Sequence, residues 1–255
     1  MAKKVFIGVG HGGPDPGAVA NGFKEADLNL AISLACRDEL VRHGVQVRMS
    51  RTKDEEDRLA DVIRECNAFG PDLALDIHNN AGGGDGGEVF HHHGGGTSKK
   101  LAQNIVKELA KIGQNLREGD SGEKDGLITK LNSAGRDYFG FIRQTVAPAV
   151  LVECAFVDNK TDIKIIDTPA EQKVMGEAIA RGVLTTLGIA YKAKEDKVSN
   201  TTKKDNTPDS YAKSAIDKAV KKGVLKGTDT GDYMLHSGIT RQDFFVFLDR
   251  LGLLD

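Results

Sequence analysis

Tryptophan is absent from this chain of 255 residues, and tyrosine and phenylalanine number only 4 and 10. So few rings exclude the stacked aromatic platforms that grip single-stranded nucleic acid. Neither charge dominates: 35 Lys and Arg stand against 37 Asp and Glu, a net −2. Without a strong positive field, nucleic acid is not an expected partner. The three cysteines, Cys36, Cys66 and Cys154, are scattered and odd in number, so they make no disulfide framework. Cys36 and Cys66 fall in helical patterns and read as small buried thiols. No apolar run approaches the ~18 residues of a membrane span. The opening Lys3-Lys4 and its short apolar run pass directly into Gly10-His11-Gly12-Gly13, with no h-region and no cleavage site. The expectation is a chain made in the cytoplasm without a signal peptide.

What is present describes a folded protein. Hydrophobic residues at 39% and charged residues at 28% rule out wholesale disorder. Glycine is abundant, 30 residues or about 12% against a usual ~7%. Short apolar runs at 4–9, 45–49, 73–77, 88–92 and 149–153 predict strands. Helical periodicity at 25–41, 59–69, 97–112 and 170–187 predicts helices between and after them, the third capped by Thr97 or Ser98. This alternation implies an α/β fold, a mostly parallel twisted sheet flanked by helices. The expected organisation is a large α/β domain over 1–190, a polar linker over 191–210, and a small all-α C-terminal module over 211–255. That module carries helical stretches at 211–224 and 240–251 and has too few residues for a large core of its own.

In parallel sheets function collects beyond the carboxyl ends of strands. His11 follows the first predicted strand, His78 the third, Glu153 ends the last, and Glu25 opens the first helix. Two imidazoles and one carboxylate are a catalytic zinc set that leaves a coordination position for water. Their spacings, 14 and 53 residues, would assemble such a site from separate loops, with glycines beside His11 allowing the sharp turn. Spacing alone leaves a plainer reading open: a loop histidine, a hydrogen-bonded histidine at a strand end, and an acidic first turn favouring its own helix dipole.

The local sequences add a resemblance. Val9-Gly10-His11-Gly12-Gly13-Pro14-Asp15-Pro16-Gly17-Ala18 and Asn21-Gly22-Phe23-Lys24-Glu25-Ala26-Asp27-Leu28-Asn29-Leu30 resemble the opening of the N-acetylmuramoyl-L-alanine amidase type 3 family. So do Ser50-Arg51-Thr52, Asp76-Ile77-His78-Asn79-Asn80-Ala81, Gly87-Glu88-Val89-Phe90 and the stretch from Pro148 to Asn159, in family order across residues 4–187. The resemblance implies a peptidoglycan hydrolase in which His11, Glu25 and His78 bind Zn2+ and Glu153 is catalytic. It implies cleavage of the amide between N-acetylmuramic acid and L-alanine. The chain departs from the family pattern at Cys154, where Gly is common, and at Val62, where Arg is common. The first departure brings a thiol near the site as a bystander, and the second weakens a supporting contact. Without an export signal, a phage or prophage endolysin acting on the wall after release is the expected setting. The rival readings are a zinc peptidase acting within stem peptides and a non-catalytic wall-binding protein.

Other features read as background. His91-His92-His93 lies on a predicted strand, whose residues face alternate sides, so the three cannot share one metal and read as surface or strand filler. Glu88 reads as a structural acid beside the site, His43 and His236 as surface histidines, and Glu55-Glu56-Asp57 as a solvated acidic turn. The glycine loops at 82–87 and 119–126 are candidate groove walls. Toward the C-terminus, Tyr211 to Val220, Gly223 to Gly227 and Ile239-Thr240-Arg241-Gln242-Asp243 resemble one S-layer homology repeat. This resemblance implies binding of secondary cell-wall polymer, with Arg241 as a wall-binding residue and a homo-oligomer completing the surface.

Overall fold

The computed structural model describes residues 2–193, 208, 213–223 and 225. The chain divides into two units, Met1–Lys192 and Ala193–Asp255. In the first, β1 (Lys4–Val9), β4 (Gln46–Met49), β5 (Leu73–Asn80), β6 (Glu88–His91), β7 (Leu127–Ile128) and β8 (Ala149–Phe156) form one sheet in the order β4-β1-β5-β8-β6-β7. The first four neighbours run parallel, while β6 lies antiparallel to β8 and carries β7 parallel to itself. A small hairpin, β2 (Val19–Ala20) and β3 (Phe23–Lys24), precedes α1 (Glu25–Arg42). The remaining helices are α2 (Leu59–Phe69), α3 (Gly96–Lys111), α4 (Gly140–Gln144) and α5 (Pro169–Leu187).

Strand side chains alternate between faces, and the two faces are covered differently. Val5, Ile7, Val9, Leu75, Ile77, Val150 and Val152 point into the larger core with apolar residues of α1, α3 and α5. The intervening Phe6, Ala74 and Ala149 meet Val62, Ile63 and Cys66 of α2 and Phe141 of α4 in a smaller one. α5 is fixed at its start by a capping box between Thr168 and Glu171 with Pro169 in the first turn, and stops at Gly188 in the left-handed conformation. These are ordinary devices for satisfying helix-end groups.

Some sequence expectations need correction. β5 runs on through His78 to Asn80, so His78 lies inside a strand rather than after it. α3 starts one residue early with Gly95 at its N-cap position. The Ser98 hydroxyl instead donates to Ala149 O at 2.6 Å and accepts from His92 N at 2.9 Å, tying the helix to β8. Of the second unit, α6 (Lys213–Lys221) is described, with no buried residue. Arg241, His236 and the helix expected at 240–251 lie outside the described residues.

Candidate metal centre

On the face covered by α2 and α4, the apolar layer ends partway along the strands. Phe6, Ala74 and Ala149 lie under it. Two residues on, the same rows carry Gly8, Asp76 and Leu151, and two further on Gly10, His78 and Glu153. Register places His78 beside Glu153 and Glu153 beside Glu88, a polar row across β5, β8 and β6. The His78 ring lies over Gly10, where a Cβ would come within 2.2 Å of His78 Cε1. Glycine is required there by close approach.

His11 follows β1 with φ 62°, in the left-handed region. Arg51 ties this segment to its surroundings. Buried to 2% exposure, it donates to Val9 O and Gly10 O at 3.2 Å and to Ala26 O at 2.8 Å. Glu25 opens α1 behind the loop, nearly buried, and each of its oxygens faces one imidazole. Oε2 is 3.1 Å from His11 Nε2, and Oε1 is 3.0 Å from His78 Nδ1. Oε2 accepts from Ala18 N at 3.0 Å, while Oε1 accepts from Asn79 N and Asn29 Nδ2 at 3.2 Å. The two rings meet edge-on with centroids 5.0 Å apart. Donor atoms of His11, Glu25 and His78 all lie within 4.8 Å of one another, so these three residues can hold a metal ion.

Electrostatics match that donor set. Burial pushes the Glu25 carboxyl up, but the His11 and His78 hydrogen bonds outweigh it and hold the group well below the usual range. Glu25 is therefore ionised, as a ligand must be. His11 is raised, first by its hydrogen bond to Glu25. For His78, burial lowers the value, but the Asp76 carboxylate, the hydrogen bond to Glu25 and the charge of Glu153 outweigh it and hold the imidazole well above its usual range. Glu153 behaves oppositely to Glu25. Burial, with Glu25, Glu88 and Asp76 nearby, pushes it up to about 8 against the pull of His78. Its Oε2 is buried with no hydrogen-bond partner among the described residues. An orphaned buried acceptor beside three clustered donors fits a site built to receive a cation and water.

A cavity of about 560 Å³ opens over this cluster, lined by His11, His78, Glu153, Arg58, Leu59 and Phe139 among others. Its walls come from the segment before α2 and the start of α4. The glycine loops at 82–87 and 119–126 do not line it. The first of them is held by Asp158, which accepts from Gly82 N and Gly83 N, and by Asp162, which accepts from Gly86 N. Asp57 also departs from expectation. It is half-buried, accepts from Ser50 Oγ at 2.5 Å and is pushed up to about 6 by burial. Ser50 in turn accepts from Val9 N at 3.0 Å. Cys154 points away from the site into the larger core, fully buried, because it is one residue out of phase with Glu153. The bystander thiol is therefore on the opposite face.

His91 lies in the strand and His92 and His93 at the surface, as expected, but the last two are partnered. The strand ends at His91, so alternation no longer separates the next two residues. His92 Nε2 and His93 Nδ1 converge on Asp137 Oδ2 at 3.1 and 2.9 Å. Gly94 N donates to His92 Nδ1 at 3.0 Å, which leaves the ring proton on Nε2 and makes Asp137 a staple between loops. Glu88 is a buried acid held by Asn80 at 2.6 Å and Arg117 at 3.3 Å. His43 is buried too, stacked on Tyr191 at 5.1 Å with Nδ1 against Glu39 O at 2.8 Å.

A family profile described as N-acetylmuramoyl-L-alanine amidase matches residues 5–185. CwlM, an N-acetylmuramoyl-L-alanine amidase of Bacillus licheniformis, is 34% identical over 190 residues, covering 74% of this chain and 68% of that protein. The endolysin of Bacillus phage SPP1 is 34% identical over 215 residues, covering 78% of this chain and 74% of that protein. Among solved structures, Cwp6 from Clostridium difficile superposes with a TM-score of 0.68 at 33% identity, over 73% of this chain and 30% of the Cwp6 chain.

Proposed function

The chain belongs to the N-acetylmuramoyl-L-alanine amidase family, and on that premise we propose that it hydrolyses peptidoglycan at the amide joining N-acetylmuramic acid to L-alanine, with zinc held by His11, Glu25 and His78. The observation that carries the reading is the convergence of these three donors beside the unpartnered Glu153. Zinc in a set of two imidazoles and a carboxylate supplies Lewis acidity, lowering the pKa of bound water toward ~7 and polarising a carbonyl.

The chain's own residues do the rest. Glu25 is locked by hydrogen bonds from Ala18, Asn29 and Asn79, so the donor geometry exists before substrate arrives. Glu153 accepts the proton of the attacking water at its carboxylate and passes it to the departing nitrogen of L-alanine. Burial raises the Glu153 carboxyl above the ordinary carboxylate range, which favours its holding the proton between the two halves of that transfer. Leu151, Val62 and Phe141 give the cavity an apolar floor that suits the methyl groups on either side of the scissile bond. Among the described residues, no helix is long and apolar enough to cross a membrane.

For residues 211–255, the resemblance to one S-layer homology repeat supports attachment to secondary cell-wall polymer, with Arg241 in the binding surface and association of copies completing it. A chain that stays monomeric by light scattering while binding walls tightly would count against that association. The setting we favour is a released lytic enzyme, supported by the similarity to the phage endolysin.

Digestion of purified peptidoglycan tests the activity. The expected products are stem peptides with a free L-alanine amino terminus and intact glycan, lost on chelation and restored by zinc. New termini inside the stem peptide would make it a peptidase. Full activity after exhaustive chelation would remove the metal from the reaction.

A further inference from the structure

Asp76 lies two residues before His78 on β5, so strand alternation puts both on the face of the site. Its side chain is 8% exposed, and Oδ2 is 3.6 Å from His78 Nε2. That is the ring nitrogen facing away from Glu25, which sits against Nδ1. His11 is arranged alike: Nε2 faces Glu25, and Nδ1 meets Asp15 Oδ2 at 2.8 Å. We propose that Asp76 is a positioning residue of the metal centre, holding the His78 ring proton on Nε2 and so presenting the Nδ1 lone pair to the ion. The inference rests on the zinc reading above.

An imidazole that ligates through one nitrogen carries its proton on the other, and a carboxylate facing that proton fixes the tautomer and makes the ligand more basic. At 3.6 Å the contact is longer than a hydrogen bond, so the carboxylate acts on the Nε2 proton through its charge. Burying a carboxylate is unfavourable unless a partner offsets the lost hydration. Among the described residues, His78 is the one basic side chain paired with Asp76. The neighbouring strand also makes room for it. Gly8 is the register partner of Asp76 on β1, and a Cβ there would lie 2.6 Å from Asp76 Oδ1. A packing role alone would be served by a side chain at Gly8 and an apolar residue at 76, as one step earlier with Phe6 and Ala74.

The test is a zinc competition titration of the full-length, metal-depleted protein against a chromophoric chelator. Wild type, Asp76→Asn and Asp76→Ser are compared, with thermal unfolding of each metal-free form. Expected are affinities weakened about 10–100-fold, the Ser variant more than the Asn, unchanged metal-free unfolding, and a shifted visible absorption spectrum when cobalt replaces zinc. Zinc affinity and cobalt spectrum equal to wild type in either folded variant would overturn the assignment. Loss of the fold in both would also overturn it, by making Asp76 structural. A wild-type chain that binds no zinc would overturn the parent reading and this inference together.

Discussion

One face of the sheet is closed and the other is open. Under α1, α3 and α5, Val5, Ile7, Leu75, Ile77, Val150 and Val152 are all buried, and the apolar layer continues along the strands. Under α2 and α4 the apolar layer is short, giving way after Phe6 and Ala74 to glycine, carboxylate and imidazole, and on β8 after Leu151 to Glu153. The strands are shared, so each supplies stability with one set of alternate positions and chemistry with the other. Buried charges cost folding energy. The larger core on the far side of the same strands offsets that cost and holds the polar row rigid enough to ligate.

Glu153 separates the two faces most sharply. Replacing it with Gln keeps shape and burial but removes the proton carrier. Turnover on purified peptidoglycan is expected to fall about 10²- to 10⁴-fold, with zinc still bound and unfolding temperature not lowered. Retained turnover would take Glu153 out of the mechanism. The converse test is Ile105 of α3, fully buried in the larger core. Ile105→Ala is expected to cost about 2–5 kcal/mol of stability by chemical denaturation, while turnover per folded molecule and zinc affinity stay at wild-type values. An activity loss exceeding the folded fraction would show that the faces are not independent.

Between these lies Gly10→Ala, which touches both faces' interests. Its Cβ would need space now taken by the His78 ring. Zinc affinity is expected to drop tenfold or more, measured by competition, with stability falling by about 1–3 kcal/mol. Unchanged affinity would mean that the ring can move without losing the ion.

How much of this could be read from the residues follows the range of the signal. Short apolar runs such as Lys4–Val9 and period-3.6 stretches such as Leu59–Phe69 announced their elements, because burial on both faces of a strand or one face of a helix writes itself into local sequence. β2, β3 and β7 have two residues each and α4 five, too short for any period. His11, Glu25, His78 and Glu153 were visible through the amidase resemblance, whereas spacing left them open. The partners of the site were not visible. Asp15 sits four residues from His11, but Asp57 meets Ser50, Arg51 meets Ala26, and Asp137 reaches back 44 residues to His93. Those pairs form only when distant segments meet, and single positions carry no mark of them. One residue of strand length decides whether His92 and His93 alternate or converge on Asp137, and no local signal fixes where β6 stops.

The smallest expected effect distinguishes the open face by pH. Asp57 is raised to about 6 by burial, with Asp76 and Glu65 pushing the same way against Ser50 and Arg51. A carboxyl raised in the folded state keeps a proton that the unfolded chain has already released. Stability from this group is therefore greatest at low pH and declines as pH rises from the ordinary carboxylate range to about 6. Asp57→Asn cannot ionise and can still accept from Ser50. Denaturation of the metal-free protein between pH 4 and 7 is expected to show a shallower fall in the variant. By pH 7 it should be about 1–2 kcal/mol more stable relative to wild type than at pH 4, after allowance for screening by the open cavity. Glu153 and His78 tilt both curves in the same direction, so the difference between the curves isolates Asp57. Parallel curves would mean that its burial is relieved by solvent in the cavity, and that the open face is wetter beside Ser50 than its carboxylates suggest.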